Sequence, residues 1–216
     1  RDGAGLPHRH GGAAGPAAVP LPGAAARWPA RSALLLADLH LGKADIFRRA
    51  GIALPSGGTQ GDLLRLQQLV ERTGCAQLWI LGDVLHGPLH RAAWHTHWMA
   101  WRAACPTLQV HVIRGNHDRA LAAQALAVEV HDEGVDLGPF LLRHEPCRRP
   151  GRHVIAGHLH PLAAPRGLMR RFPAFWLQEG VTVLPAFSRF TAGVVPPLRA
   201  QDRLVACVEG SAIELG

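Results

Sequence analysis

The sequence predicts an α/β fold, and three observations carry that expectation. From Arg31 onward, short β-type apolar runs alternate with segments of helical periodicity, the pattern of strands joined through helices. Five of those runs each end in a cluster of polar residues. After Arg166 the chain becomes rich in strands and turns, with Pro185, Pro196 and Pro197 as breaks, so finishing strands of a second sheet are expected there.

The elements follow in order. Residues 1–30 hold nine Ala, six Gly and five Pro, and such a segment buries too little surface to offset its ordering entropy. A flexible tail is therefore expected over 1–26 and a single domain over 27–216. His8 and His10 fall in the tail and read as solvated. Strands are expected at Ala33–Ala37, Leu78–Leu81, Val110–Ile113, Phe140–Arg143, Val154–Ala156 and Val181–Leu184. Leu63, Leu64, Leu66, Leu69 and Val70 recur at helical spacing, which predicts an amphipathic helix over Gly61–Thr73. Trp94, Trp98 and Trp101 stand at i, i+4 and i+7 and predict a second helix over about Arg91–Ala104; that stripe suits a core, or an interface in a homodimer. A third helix is expected over Ala120–Ala127.

Composition bounds the rest. A chain of 216 residues suits one domain with a substantial core. No apolar run reaches the roughly 18–20 residues of a membrane-spanning helix, and no charged-then-apolar leader opens the sequence, so no membrane partner and a cytoplasmic location are expected. Cys75, Cys105, Cys147 and Cys207 form no Cys-x-x-Cys pair, which argues against a thiolate zinc site and for free thiols. The formal charge is +7, so polyanions are plausible partners. Between Arg143 and Arg171 seven arginines face one acid, Glu145. That stretch reads either as a phosphate-facing patch or as a general preference for Arg, since Lys43 is the only lysine.

The polar clusters at the strand ends are the informative feature. They are Asp38-Leu39-His40, Gly82-Asp83, Gly115-Asn116-His117-Asp118, His144 and Gly157-His158-Leu159-His160. Ligands in open α/β sheets bind outside the carboxyl ends of strands, so parallel neighbours would bring these clusters to one edge. Two Asp, one Asn and several His together make an oxygen-and-imidazole metal site. Period-2 alternation in an extended segment would put Asp38 and His40 on one side, and His158 and His160 likewise. Gly82, Gly115 and Gly157 are expected to permit the turns that deliver their neighbours. Each motif alone occurs by chance; all five in this order, each after a strand, do not.

In this order the motifs resemble the calcineurin-like metallophosphoesterases over residues 33–160. The segments 37–43, 82–86, 157–161 and 184–187 are similar to the ligase-associated DNA damage response endonuclease branch, which extends the resemblance from about Arg27 almost to the C-terminus. The resemblance implies a four-layer αββα sandwich of two mixed sheets flanked by helices, with a dinuclear metal centre at the strand ends. It implies Asp38, His40 and His160 on one ion, Asn116, His144 and His158 on the other, and Asp83 bridging. Manganese is the first expectation for both ions, with iron or zinc as alternatives. His117 is implied as the catalytic histidine near the scissile phosphate. The sequence departs from the phosphatase branch at His86, where that branch carries Asp; Gly-Asp-x-x-His is the nuclease-branch pattern. It also has His144-Glu145-Pro146 where His-Gly is common, and Ser188 where Gly follows Leu-Pro-Ala-Phe.

The expected activity is hydrolysis of phosphodiester bonds, as a nuclease linked to DNA repair, with DNA as substrate and repair ligases or helicases as partners. His86 is expected to position the phosphodiester, Asp118 either to orient His117 or to cap the following helix, and Lys43 and Arg143 to contact phosphate. One alternative is a phosphatase or phosphodiesterase of small nucleotides or other phosphoesters. The other is an inactive scaffold of the same fold, which should have lost ligand positions that here are all filled.

Overall fold

The computed structural model describes residues 18–52, 58–86 and 93–215. Leu34, Leu35 and Leu36 are fully buried, as consecutive apolar residues must be in a strand covered on both faces. They form β3 (Ala33–Leu36), which pairs in parallel with β4 (Gln77–Leu81). Next in parallel come β5 (Gln109–Ile113) and β6 (Glu129–His131). On the other side β1 (Val19–Leu21) and β2 (Ala25–Trp28) add antiparallel, giving the order β1-β2-β3-β4-β5-β6.

The crossovers carry α1 (Lys43–Arg49), α2 (Gly58–Thr73), α3 (Ala93–Ala104) and α4 (Ala123–Leu126). Period-2 alternation decides what each strand buries. Leu34, Leu36, Leu78, Ile80, Val110 and Val112 pack with Leu63, Leu66 and Leu69 of α2 and the tryptophans of α3. Leu35, Trp79, Leu81 and Ile113 turn the opposite way, toward Phe140, Leu142, Ile155 and Phe175 of the second sheet. Burying one such side chain stabilises the fold by about 1.5–3 kcal/mol.

The second sheet is mixed as well. It contains β7 (Val135–Leu137), β8 (Phe140–Leu142), β9 (His153–Ala156), β11 (Phe172–Gln178), β12 (Val181–Val183), β13 (Arg203–Val208) and β14 (Ser211–Leu215). Their order is β14-β13-β11-β12-β9-β8-β7, with β10 (Leu162–Ala163) paired to β11. Strands β8, β9 and β12 are parallel. The fold is thus α/β, two mixed sheets face to face with flanking helices. Among the described residues no helix follows Leu126, so the helices all belong to the crossovers of the first sheet.

One expectation changes and two open ones narrow. The tail expected over 1–26 does not extend that far: Val19–Leu21 is strand, and Ala18, Ala24, Ala25 and Ala26 are buried. Small residues let this edge sit close to the sandwich, yet they carry little strand signal in sequence. Residues 1–17, with His8 and His10, lie outside the described residues. The Trp94, Trp98 and Trp101 stripe is core, each ring at most 6% exposed, and Trp98 donates its indole N–H to the Leu126 carbonyl; it offers no dimer surface. The arginine-rich stretch is partly neutralised by acids from outside it, through Arg148–Glu179, Arg152–Asp136 and Arg170–Glu209. All four cysteines are free. No helix among the described residues is long and apolar enough to cross a membrane.

Candidate metal centre

Strands β3, β4 and β5 of one sheet and β8 and β9 of the other release their polar clusters at the same end of the sandwich. Cross-sheet bonds hold the two ends together. The backbone N–H of His158 donates to Asp38 Oδ2 at 2.9 Å. His144 Nδ1 lies 2.9 Å from the carbonyl of Leu81. The loop after β12 closes the third side, with Phe187 N donating to the Ala37 carbonyl at 2.8 Å and Ser188 N to that of Asp38 at 3.2 Å.

Two triads of donor atoms result. The ligand atoms of Asp38, His40 and His160 lie within 4.8 Å of one another, and so do those of Asp83, His144 and His158. Asn116 Oδ1 is 3.0 Å from His144 Nε2. The expected extended geometry of the Asp-x-His and His-x-His motifs is not what delivers them. Asp38, His40, Asp83, His158 and His160 all have positive φ, between 47° and 71°, so these side chains sit on left-handed turns. Gly82 has φ +83°, and a side chain there would strike the His144 ring. Gly115 has a different reason from the expected turn: a Cβ would strike Asp83.

The polar atoms face inward without protein partners. Asp38 Oδ1, both ring nitrogens of His40, and His160 Nε2 are buried and make no hydrogen bond among the described residues. Asp38 Oδ1 and His160 Nε2 stand 3.4 Å apart. His160 gives Nδ1–H to the Ala192 carbonyl at 2.9 Å, and His144 gives its own to Leu81. In the neutral form of each ring the lone pair then lies on Nε2, turned into the site; burial lowers the His160 pKa, but Asp38 outweighs it and holds the value above the usual one. His144 Nε2 meets Asn116 Oδ1 at 3.0 Å, His158 Nδ1 at 3.1 Å and Asp83 Oδ1 at 3.5 Å. Lone pairs gathered against lone pairs are costly unless a cation sits among them, and ring N–H groups tied to carbonyls are the usual support of metal-ligating histidines. His40 is pushed down to about 2, first by burial and then by Lys43 and the His160, His86 and His117 rings, so its ring stays neutral, with one nitrogen holding a free lone pair and the other an N–H. The donor set fits divalent cations.

A calcineurin-like phosphoesterase family model matches residues 32–129. The structure of the Pseudomonas putida nuclease MPE is 39% identical in sequence with a TM-score of 0.80, over 92% of this chain and 95% of that one. The chain belongs to the calcineurin-like phosphoesterase family. It is therefore a metal-dependent phosphoesterase, a hydrolase of a family that uses a dinuclear metal centre. A phosphoesterase from E. coli, Yfce, aligns at 18% identity and TM-score 0.48 over 85% of this chain and 97% of its own. A search of curated protein sequences gives no match.

The remaining expected residues of this phosphoesterase fall around the two triads. The rings of His86 and His117 lie 5.3 and 5.6 Å from that of His40 and 5.2 Å from each other. His117 is exposed, and its backbone N–H donates to Asp83 Oδ1 at 3.0 Å. Burial lowers the pKa of His86, with Lys43 and His117 adding to it against Asp83. Lys43 opens α1; burial lowers its pKa while Asp38 and Asp83 oppose that, and its Nζ donates to Thr191 Oγ1 at 3.4 Å. Arg143 lines a cleft of about 160 Å³ beside Asn116 and His144. Asp118 is not turned to His117. Its two oxygens accept the backbone N–H of Leu85 and of Gly115, both at 2.9 Å, so it ties the loop after β4 to the loop after β5. Sequence reading missed the support beneath the 184–189 loop: Arg65 of α2 bonds the Phe187 carbonyl, stacks 4.1 Å over the Phe187 ring and pairs with Asp62 at 3.3 Å. Only the helical register of Asp62 and Arg65 on an otherwise apolar face could have flagged them.

Proposed function

We propose that this phosphoesterase is a nuclease that cleaves phosphodiester bonds of nucleic acid, with DNA repair as its process. The likeness to a nuclease across nearly the whole of both chains is the observation that carries the reading. In this proposal Asp38, His40 and His160 hold one ion, Asn116, His144 and His158 the other, and Asp83 stands between them. Manganese is the ion of choice, since oxygen and imidazole donors suit it and availability decides among the first-row metals. When bound, the ions supply Lewis acidity toward phosphoryl oxygens and lower the pKa of the attacking water.

The chain's own residues do the rest. His117, exposed at the mouth and anchored through its backbone to Asp83, donates a proton to the leaving oxygen. His86, beside it, orients the second ester arm. Lys43 and Arg143 supply positive charge for the flanking phosphates. Repair ligases or helicases are the partners in this reading.

A side-by-side assay tests it: single-stranded DNA, a cyclic dinucleotide and p-nitrophenyl phosphate, each with manganese, zinc or no metal. Cleavage of DNA in manganese, absent from the Asp83→Asn variant, is expected. Turnover of the small esters with DNA untouched would move the protein to small phosphoesters instead.

A further inference from the structure

A third cluster of metal-binding side chains lies outside this centre. Strands β5 and β6 run parallel and pair His111 with Glu129 and Ile113 with His131. Alternation turns His111, Glu129 and His131 to one face of the sheet, while Val110, Val112 and Val130 join the core on the other. His111 Nδ1 is 3.3 Å from Glu129 Oε2. His131 Nε2 is 3.5 Å from Glu129 Oε1. The two ring nitrogens are 3.4 Å apart.

Those separations have a meaning in coordination chemistry. A tetrahedral ion with bonds of about 2.0–2.1 Å holds its donors about 3.3–3.4 Å from one another; the two ring nitrogens stand at that spacing, Glu129 approaches them through different oxygens, and one donor atom from each residue lies within 4.8 Å of the other two. The rings are also fixed in place before any ion arrives. Trp79, one strand over, stacks on His111 at 4.2 Å and 11°, and on His131 at 5.3 Å and 22°. A cleft of about 530 Å³, whose lining includes Arg102, Val110, His111 and Glu129, opens alongside.

We propose that His111, Glu129 and His131 form a separate zinc-type metal site that clips strand β6 to β5. Three protein donors leave one coordination position to water. The clip has a mechanical use. β6 is a three-residue strand at the edge of its sheet, where pairing is weakest. Arg114 follows directly: its N–H donates to the His131 carbonyl at 2.9 Å, it pairs with Asp132 at 2.7 Å, and it holds the carbonyls of Asp118 and Leu121. Steadying β6 therefore steadies the segment that carries Asn116 and His117.

The test separates this site from the dinuclear one. In the full chain carrying His40→Ala, Asp83→Asn and His158→Ala, which takes a donor from each triad of the dinuclear centre, cobalt(II) is added, and bound metal is counted by mass spectrometry after dialysis while the visible spectrum is recorded. A bound ion with the intense absorption of tetrahedral cobalt is expected, lost when His131→Ala is added. In the otherwise unchanged chain, Glu129→Gln should lower zinc content by one ion; Glu129 is mostly exposed, so this variant folds. Unchanged metal content in both His131→Ala and Glu129→Gln would overturn the site and leave an ordinary ion-paired cluster. So would a cobalt spectrum without tetrahedral character.

Discussion

At the scale of single residues, this phosphoesterase concentrates unusual backbone at its chemistry. Five polar residues of the centre take left-handed φ, a conformation that costs a non-glycine residue roughly 1–2 kcal/mol. Asp and His tolerate it better than β-branched residues do, and the surrounding bonds from Asp38, Asp83 and Gly82 hold it. Two neighbours on one loop then part company. His117 points outward and makes no ring bond to the donors, so His117→Ala should leave metal content intact and lower turnover by about 10²–10⁴-fold. Metal analysis beside kinetics checks it, and loss of metal would make His117 a ligand instead. Asp118 is fully buried and accepts two backbone N–H groups. Asp118→Asn keeps the shape but turns an amide N–H₂ toward one of those donors. A stability loss of about 1–3 kcal/mol is expected in urea unfolding, with the pH profile of the activity unmoved because Asp118 does not touch His117.

Elements were legible in proportion to how much apolar periodicity they carry. The strands that bury both faces, β3, β4, β5 and β9, and the helices α2 and α3 were readable from their side chains alone. Helix α1 was not: Lys43–Arg49 holds only two large apolar residues, Ile46 and Phe47. β1 is only Val-Pro-Leu, with small residues on either side, and its pairing is set by the sheet it joins. The turns of Asp38–His40 and His158–His160 were misread as extended, because residue types alone do not reveal a left-handed φ that a neighbouring sheet imposes. The Leu184–Phe187 segment was noticed only for its resemblance, and its physical role comes from α2. There Arg65 faces Asp62, whose pKa burial raises and Arg65 opposes. Arg65→Ala leaves the buried Asp62 carboxylate with only Arg189 and Ser188 beside it and frees the Phe187 carbonyl, so a loss of about 1–3 kcal/mol is expected. Replacing both partners, Asp62→Leu with Arg65→Met, should recover most of the stability but not the anchoring of the loop. Chemical denaturation of the two variants, read with DNA cleavage, separates the ion pair's cost from its positioning effect.

At the scale of the whole molecule, the sandwich has a fault line where the two sheets meet at the site. The sheets share an apolar interior, yet at this end they are joined by a few hydrogen bonds and by donor atoms that face one another without partners. Metals therefore bear on folding as well as on chemistry, since ions that bind the folded chain alone stabilise it by mass action. Asp38, His40 and Asp83 follow strands of one sheet and His144, His158 and His160 strands of the other, so the candidate ligand set spans the junction. At an ion concentration near 100 times the dissociation constant the gain is about 2.7 kcal/mol for one site. In a domain of this size that corresponds to a rise in Tm of about 5–10 °C. Stripping the protein with a chelator should lower Tm by that amount, and returning manganese should restore it. His158→Ala combined with His160→Ala keeps the apolar interior but leaves one histidine of the second sheet in the span, so its Tm should respond to manganese far less. An equal manganese response in the two proteins would mean that the ions do not tie the sheets together, and that the apolar interior alone closes this end of the sandwich.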